Sequence, residues 1–321
     1  VNVSVIVCTH NPRADYFARC LEGLRAQTLA LDRWELLLVD NLSDRPVETT
    51  VDISWHPNAR VIGESTLGLT PARLRGIRES HGDLLVFVDD DNVLTQDYLD
   101  QTERIANEHP FIGSWSGQCL PEFDVPPPEW TRRYWGALCI REFEKNVWSS
   151  LPLLGDTMPC GAGLCVRRRV ALHYVGLYDR GVRSIVLDRV GTSLASGGDN
   201  DLAACACDLS LGVGLFSGLK LTHLIPPQRL TEDYLCRLVE AIEFSGAVLN
   251  AERGVSPPVR SLIGKAADQL RVWRQQGPHR KILRATFRGR DAAAHWIANK
   301  SVEQAPGFLS SILPTPRQTQ N

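Results

Sequence analysis

Asp89, Asp90 and Asp91 stand in a row directly after the apolar run Leu84-Leu85-Val86-Phe87-Val88. Adjacent carboxylates repel one another and raise one another's pKa unless a cation stands among them. A divalent ion resolves that repulsion, and hard oxygen ligands suit Mg2+ or Mn2+. Such an ion can bridge a diphosphate and take up charge on a departing nucleoside diphosphate. The plainer alternative is a solvated acidic turn, or the acidic first turn of a helix. The turn after the first apolar run, Cys8-Thr9-His10-Asn11-Pro12, carries neither the GxGxxG nor the GxxxxGK[ST] pattern. Nicotinamide-dependent dehydrogenases and P-loop kinases are therefore disfavoured.

The elements that must position these acids alternate. Val3-Ser4-Val5-Ile6-Val7 reads as a buried strand ending at Thr9, and residues 14–27 as a helix with Phe17, Cys20, Leu21 and Leu24 on one face. Trp34 to Val39 reads as a second strand stopping at Asp40, and Arg60-Val61-Ile62 as a short third. Thr70 as N-cap and Pro71 at the first helical position predict a helix ending near His81-Gly82. Leu84 to Val88 is a further strand. This order predicts a parallel α/β sheet, whose ligands bind at the carboxyl ends of the strands. Those ends are Thr9, Asp40 and Asp89. The stretch 113–154, rich in Trp and Pro, reads as loops and short strands. From Leu230 the pattern is helical, with Tyr234, Leu235, Leu238, Val239 and Ile242 in a stripe. Residues 261–300 read as helical and basic; between Arg260 and Lys300 the cations, Lys265 among them, face only Asp268 and Asp291, and the tail beyond 304 is expected to fray.

With 321 residues and 43% hydrophobic composition the chain can bury a full core. Its net charge of -2 implies no general attraction to nucleic acid. No apolar run approaches the roughly 18–20 residues of a membrane span. The nine cysteines are odd in number and form no CxxC pair. They are expected to be buried reduced thiols of a cytoplasmic protein rather than zinc ligands.

Several segments together resemble family 2 glycosyltransferases of the GT-A fold. They are Val3 to Asn11, Leu37-Leu38-Val39-Asp40-Asn41, Gly68-Leu69-Thr70-Pro71-Ala72-Arg73 through Gly76-Ile77, and Leu85 to Asp91. Later come Cys160-Gly161-Ala162-Gly163, Gly197-Gly198-Asp199-Asn200-Asp201-Leu202 and Leu221-Thr222-His223-Leu224-Ile225-Pro226. They occur in the family's order over about residues 1–235. The resemblance implies a Rossmann-like, mainly parallel sheet flanked by helices. It divides the chain into a catalytic domain, 1–235, with a nucleotide-binding part, 1–112, and an acceptor and sugar part, 113–235. A basic helical appendage, 236–304, and a flexible tail, 305–321, follow.

The resemblance also implies roles. Thr9, Asp40 and Arg73 would hold the nucleoside, and a carboxylate at Asp40 suits the imide of uracil, favouring a UDP-sugar. Asp89 and Asp91 fall on the DxD motif. Asp91 is the expected direct ligand of Mn2+ or Mg2+, with Asp89 and His223 as further ligands and Asp90 sharing either task. The alternative for His223 is a packed core histidine. Gly161 and Ala162 would lie beside the donor sugar, and Arg229 would reach the diphosphate. Trp148 is expected in the core in preference to stacking on a sugar. Asp199 takes the general-base position, with Asp201 as runner-up. Two residues depart from the family's pattern: Gly198 stands where Gly-Glu-Asp-x-Asp-Leu carries Glu, and Leu74 stands where Asn is common.

The expected reaction is inverting transfer of a sugar from a nucleotide-sugar donor to a glycan or lipid-linked acceptor in polysaccharide synthesis. Residues 260–300 are expected to form a helical appendage that packs its apolar side on the catalytic domain and leaves a solvated basic face, with a weak, salt-sensitive peripheral contact at the inner membrane face as an additional role. The alternatives are a sugar-nucleotide pyrophosphorylase, which needs a Gly-rich turn that Thr9 to Pro12 does not provide, and a non-catalytic sugar-binding domain, against which the intact acid triplet argues.

Overall fold

The computed structural model describes residues 1–304 apart from 154, 184–186, 192 and 256–261; the expected tail 305–321 and Arg260 lie outside the described residues. Four strands make the parallel half of the sheet: β1 (Val3–Thr9), β2 (Trp34–Asp40), β3 (Ala59–Gly63) and β4 (Leu84–Asp89). β1 lies between β2 and β4. Its register sets Thr9 opposite Asp40 and Cys8 opposite Asp89. The three polar strand ends therefore meet at one edge. Apolar runs are required here because both faces are covered. Val3, Val5 and Val7 pack toward Phe17, Cys20 and Leu24 of α1 (Ala14–Arg25), while Ile6 packs with Ala72 and Ile77 of α2 (Leu69–Glu79).

The start of α2 differs from the sequence expectation. Its N-cap is Gly68, at φ 139°, a conformation that favours glycine, and Gly68 donates its N–H to Asn41 Oδ1 at 2.7 Å. Thr70 thus sits inside the first turn, and its hydroxyl donates to Asp188 at 3.2 Å.

The rest of the sheet is mixed. After β5 (Asn92–Leu94) and α3 (Tyr98–Glu108) come β6 (Ile112–Phe123), β7 (Val147–Ser149) and β8 (Leu164–Arg167). Helices α4 (Arg168–Asp179) and α5 (Gly198–Asp208) lead to the long β9 (Gly212–Ile225). The sheet runs β3-β2-β1-β4-β8-β6-β9-β5, with β7 on β9. β8 is antiparallel to both β4 and β6, so the parallel arrangement ends at β4. The segment 113–154, expected to be irregular, opens with the long β6. Its glycines, serines and proline are poor strand formers. Pairing with β9 along its length overrides that preference. β5 pairs Asn92 with His223, which carries β9 to the end of the acid triplet.

Beyond β9, α6 (Glu232–Glu252), α7 (Leu262–Arg274) and α8 (Gly277–Gln304) complete the described chain. α6 and α8 bury Leu235, Leu238 and Ile282 at one end, and Val248, Leu249 and Ala293 at the other. A Cβ at Gly289 would lie 2.2 Å from the Glu240 carbonyl, so the close approach of the two helices needs glycine there. The basic face of α8 is not simply solvated. Lys281 pairs with Glu232, Arg288 with Glu240 at 2.5 Å, and Arg290 with Glu243 at 2.7 Å, so acids of α6 answer much of the charge. Among the described residues no helix is long and apolar enough to cross a membrane, and all nine cysteines are free.

Candidate active site

A cleft of about 410 Å³ opens at the carboxyl ends of β1 and β4, within the size range of small-molecule sites. Thr9, Arg73, Asp89, Asp90, Asp91, Gly161, Ala162, Asp199, His223 and Arg229 line it. These are residues from distant parts of the chain, brought together by the sheet register and by the β5–β9 pairing. Asp40 does not line the cleft; its neighbour Asn41 does. Both carboxylate oxygens of Asp40 accept backbone N–H groups, from Ser43 at 3.0 Å and Val47 at 2.9 Å.

The acid triplet divides its charge unevenly. Burial, with Asp91 and Asp89 adding repulsion, pushes the Asp90 carboxyl up to about 7, while a hydrogen bond from the Thr9 hydroxyl pulls it back. Burial and the Asp91 charge likewise raise Asp89 against the pull of Arg73, Arg189 and His223. Burial also opposes ionisation of Asp91, but His223, Arg229 and Arg189 outweigh it and hold that carboxyl well below its usual range. Arg229 Nη2 lies 2.8 Å from Asp91 Oδ2. Its Nη1 lies 2.9 Å from His223 Nε2, which itself is 3.5 Å from Asp91 Oδ2.

This corner fits a divalent cation. With the ring neutral, His223 Nε2 accepts from the Arg229 guanidinium, and an ion taking the guanidinium's place would meet that nitrogen and the Asp91 carboxylate together. His223 Nδ1 is buried without a partner. A carboxylate oxygen and an imidazole nitrogen suit Mn2+ or Mg2+. Asp89, Asp91 and His223 are not drawn into one tight cluster. Among the described residues, the His/Cys/Asp/Glu group whose ligand atoms all lie within 4.8 Å of one another is His173, Cys205 and Asp208, outside the cleft. Arg253 bonds both Asp208, at 3.0 Å, and the Cys205 sulfur, at 3.6 Å, so that trio already has its cation.

Arg73 and Asp199 line the same cleft. Arg73 is buried and its Nη1 lies 2.7 Å from Asp188 Oδ2. Burial disfavours its charge, but Asp188, Asp199 and Asp89 more than restore it. Asp199, in the first turn of α5, accepts the Gly161 N–H at 2.7 Å through Oδ2 and the Asn200 N–H at 2.9 Å through Oδ1. A Cβ at Gly161 would stand 3.0 Å from both Arg73 Nη2 and Asp199 Oδ2, so the glycine admits backbone between the cation and the acid. Gly163, at φ 66°, turns the chain so that its carbonyl accepts the Tyr98 hydroxyl at 2.6 Å.

Asp201 lies outside this arrangement. It is fully buried, 2.9 Å from Arg183 Nε and 2.7 Å from Arg253 Nη2, and does not line the cleft. Trp148 corrects the expectation of a core residue. It is 57% exposed and rests edge-on against Phe111, because β7 pairs at the outer side of β9. Asp188 and Arg189 line the cleft, yet no motif in the sequence marks them. Their only local signal is a charged pair closing the apolar run Ile185-Val186-Leu187.

Residues 4–162 match the family model "Glycosyl transferase family 2". The putative glycosyltransferase EpsH of Bacillus subtilis is 32% identical over 108 residues, covering 33% of this chain and 30% of EpsH, so the chain spans less than a third of that relative's length in the match. Among solved structures, S. aureus TarS 1-349 superposes with a TM-score of 0.54 at 15% identity, over 91% of this chain and 72% of TarS 1-349. The same segment solved with UDP-GlcNAc gives 0.52 at 15% identity, over 84% and 70%. GalNAc-T7 solved with UDP, GalNAc and Mn2+ gives 0.50 at 13% identity, over 84% of this chain and 54% of GalNAc-T7. The structural likenesses carry the GT-A fold. Residues 4–162 thus carry a domain of glycosyl transferase family 2.

Proposed function

We propose that the protein is an inverting glycosyltransferase that moves a sugar from a UDP-sugar to an acceptor hydroxyl. The observation that carries this reading is one cleft lined by Asp91 and His223 together with Arg73, Asp199 and the Gly161-Ala162 backbone, with Asp199 accepting the Gly161 N–H. The UDP-GlcNAc complex of TarS and the UDP, GalNAc and Mn2+ complex of GalNAc-T7, both of the same fold, support a nucleotide-sugar donor and a divalent ion.

Asp91, with His223 and Asp89, would hold the ion. A bound divalent cation supplies neutralisation of charge on the diphosphate leaving group. Arg229 sits where it can exchange its contact with Asp91 for one with a phosphate oxygen. Thr9, Asp90 and Arg73 line the donor side, and the Gly161-Ala162 backbone lets the sugar approach closely. Asp40 shapes the nucleoside end by ordering the loop that follows β2. Asp199 takes the proton of the acceptor hydroxyl as that oxygen attacks the anomeric carbon. The bond from that carbon to the diphosphate breaks, and the diphosphate leaves with the electron pair.

A glycan or lipid-linked acceptor and a role in polysaccharide synthesis belong to the same proposal. So does peripheral contact with an anionic membrane on its cytoplasmic face. Its support is α7, where Ile263, Leu270 and Trp273 are 82%, 48% and 73% exposed beside Arg271 and Arg274. The deciding experiment is transfer from UDP-sugars with and without Mn2+, with the product's anomeric configuration read by NMR. Retention of configuration, or full turnover in excess chelator, rejects the mechanism.

A further inference from the structure

Gly198 opens α5 beside Asp199, at the position where the family's pattern carries a glutamate. Its backbone does not demand glycine, since its φ lies outside the left-handed region. What forbids a side chain is one residue. The three atoms that a Cβ at 198 would meet first all belong to Asp188: Oδ2 at 2.4 Å, Cγ at 2.9 Å and Cβ at 3.3 Å.

That carboxylate is fully committed. Asp188 Oδ2 takes Arg73 Nη1 at 2.7 Å and the Thr70 hydroxyl at 3.2 Å, while Oδ1 takes the Arg189 N–H at 3.2 Å. Arg73 and Asp188 are both buried, so neither can turn to water for another partner. The other end of the guanidinium, Nη2, faces the Gly161 backbone and Asp199 Oδ2. The orientation of Arg73 across the cleft is thus set from behind by Asp188.

We infer that Asp188 supplies, from the loop before α5, the carboxylate that Gly198 does not carry, and that it is the positioning residue holding Arg73 toward the donor. Positions 188 and 198 share one space and one acid. The acid has moved from the helix start to the loop, and glycine at 198 is the consequence. In this role Asp188 acts through Arg73, whose Nη1 it holds at 2.7 Å. The positioning half of the inference rests on the donor site proposed above, whereas the shared space does not.

The test is a set of full-length variants read by melting temperature and by calorimetric binding of UDP with Mn2+. Gly198→Glu alone puts two acids into one space and lowers Tm by about 5 °C or more, the scale of a point clash. Asp188→Gly combined with Gly198→Glu recovers most of that loss and binds UDP within about threefold of wild type. Asp188→Gly combined with Gly198→Gln fills the space without the charge. It recovers Tm but leaves UDP binding weakened by about tenfold or more. Asp188→Asn weakens UDP binding similarly and raises the donor KM more than it lowers kcat. A Glu double variant no more stable than Gly198→Glu overturns the shared space. A Gln double variant that binds UDP as the Glu double variant does overturns the positioning role. Should wild type bind no UDP, the donor reading and the positioning role fall together, while the Tm comparison still decides the shared space.

Discussion

Asp199 and Asp201 lie within the same first turn of α5, yet Asp199 reaches the cleft beside Gly161 while Asp201 is sealed between Arg183 and Arg253. The helix turns successive side chains by roughly 100° each, so residues two apart point to opposite sides. Asp199→Asn is expected to keep UDP binding and the melting temperature but to lower kcat by roughly 10²–10⁴-fold, the range of positioned acid–base groups. Asp201→Asn is expected to act on the fold. Removing one side of a buried ion pair costs about 3–5 kcal/mol, so it lowers Tm and soluble yield before turnover is measured. Kinetics and thermal melts on the two variants separate these outcomes; a stable, inactive Asp201→Asn would exchange the roles.

Removal of the metal-side carboxylate is expected to act on binding. Asp91→Ala abolishes the Mn2+-dependent part of UDP affinity in calorimetry, and the remainder is insensitive to EDTA. Its melting temperature changes little, because loss of the most heavily paired acid also relieves repulsion on Asp89 and Asp90, and Arg229 can turn outward to water. A chelator-sensitive affinity surviving in Asp91→Ala would remove Asp91 as a ligand.

Glu35 gives the fold a defined acid dependence. Burial alone would raise its pKa, but hydrogen bonds from the Ser4 hydroxyl and from the His81 N–H and ring lower it. A carboxyl lowered in the folded state contributes its stability above the unfolded pKa, about 4.3, and loses it as pH falls further. Glu35→Gln is therefore expected to cost roughly 1.5–3 kcal/mol at pH 7, the range for hydrogen bonds to a charged group. The difference from wild type should shrink below about pH 4. Urea unfolding at pH 7 and at pH 3.5 measures both values; an undiminished gap at the lower pH contradicts the assignment.

Membrane contact is expected to depend on α7 more than on α8, whose cations Lys281, Arg288 and Arg290 already face acids of α6. Leu270→Ser combined with Trp273→Ser should strongly reduce sedimentation with anionic vesicles at low salt and leave transfer to a soluble acceptor unchanged. Equal sedimentation of wild type with neutral and anionic vesicles would refute an electrostatic contact.

The acid triplet and the strand ends were legible in the sequence because each sits at a local boundary, whereas Asp199 was singled out only by its place in the family's segment. An apolar run stops and polar residues begin, and a strand buried on both faces can stop nowhere else. The same logic misjudged β6, since its glycines and serines become a strand only through pairing with β9, a partner about a hundred residues away. It also misjudged the charge of 260–300. The count within that segment could not include Glu232, Glu240 and Glu243, which α6 sets against α8.

What the sequence alone determined was the class of chemistry: carboxylates after buried parallel strands, and the order of the family's segments. Only the tertiary structure decided which acids share a cleft. Asp40 was turned into its own loop, Asp201 into an arginine clamp, and Asp188 into the space beside Gly198. The physical reason is that burial and Coulomb pairing act over a few ångströms in space whatever the distance along the chain. A residue's role is therefore set by neighbours that its own stretch of sequence does not contain.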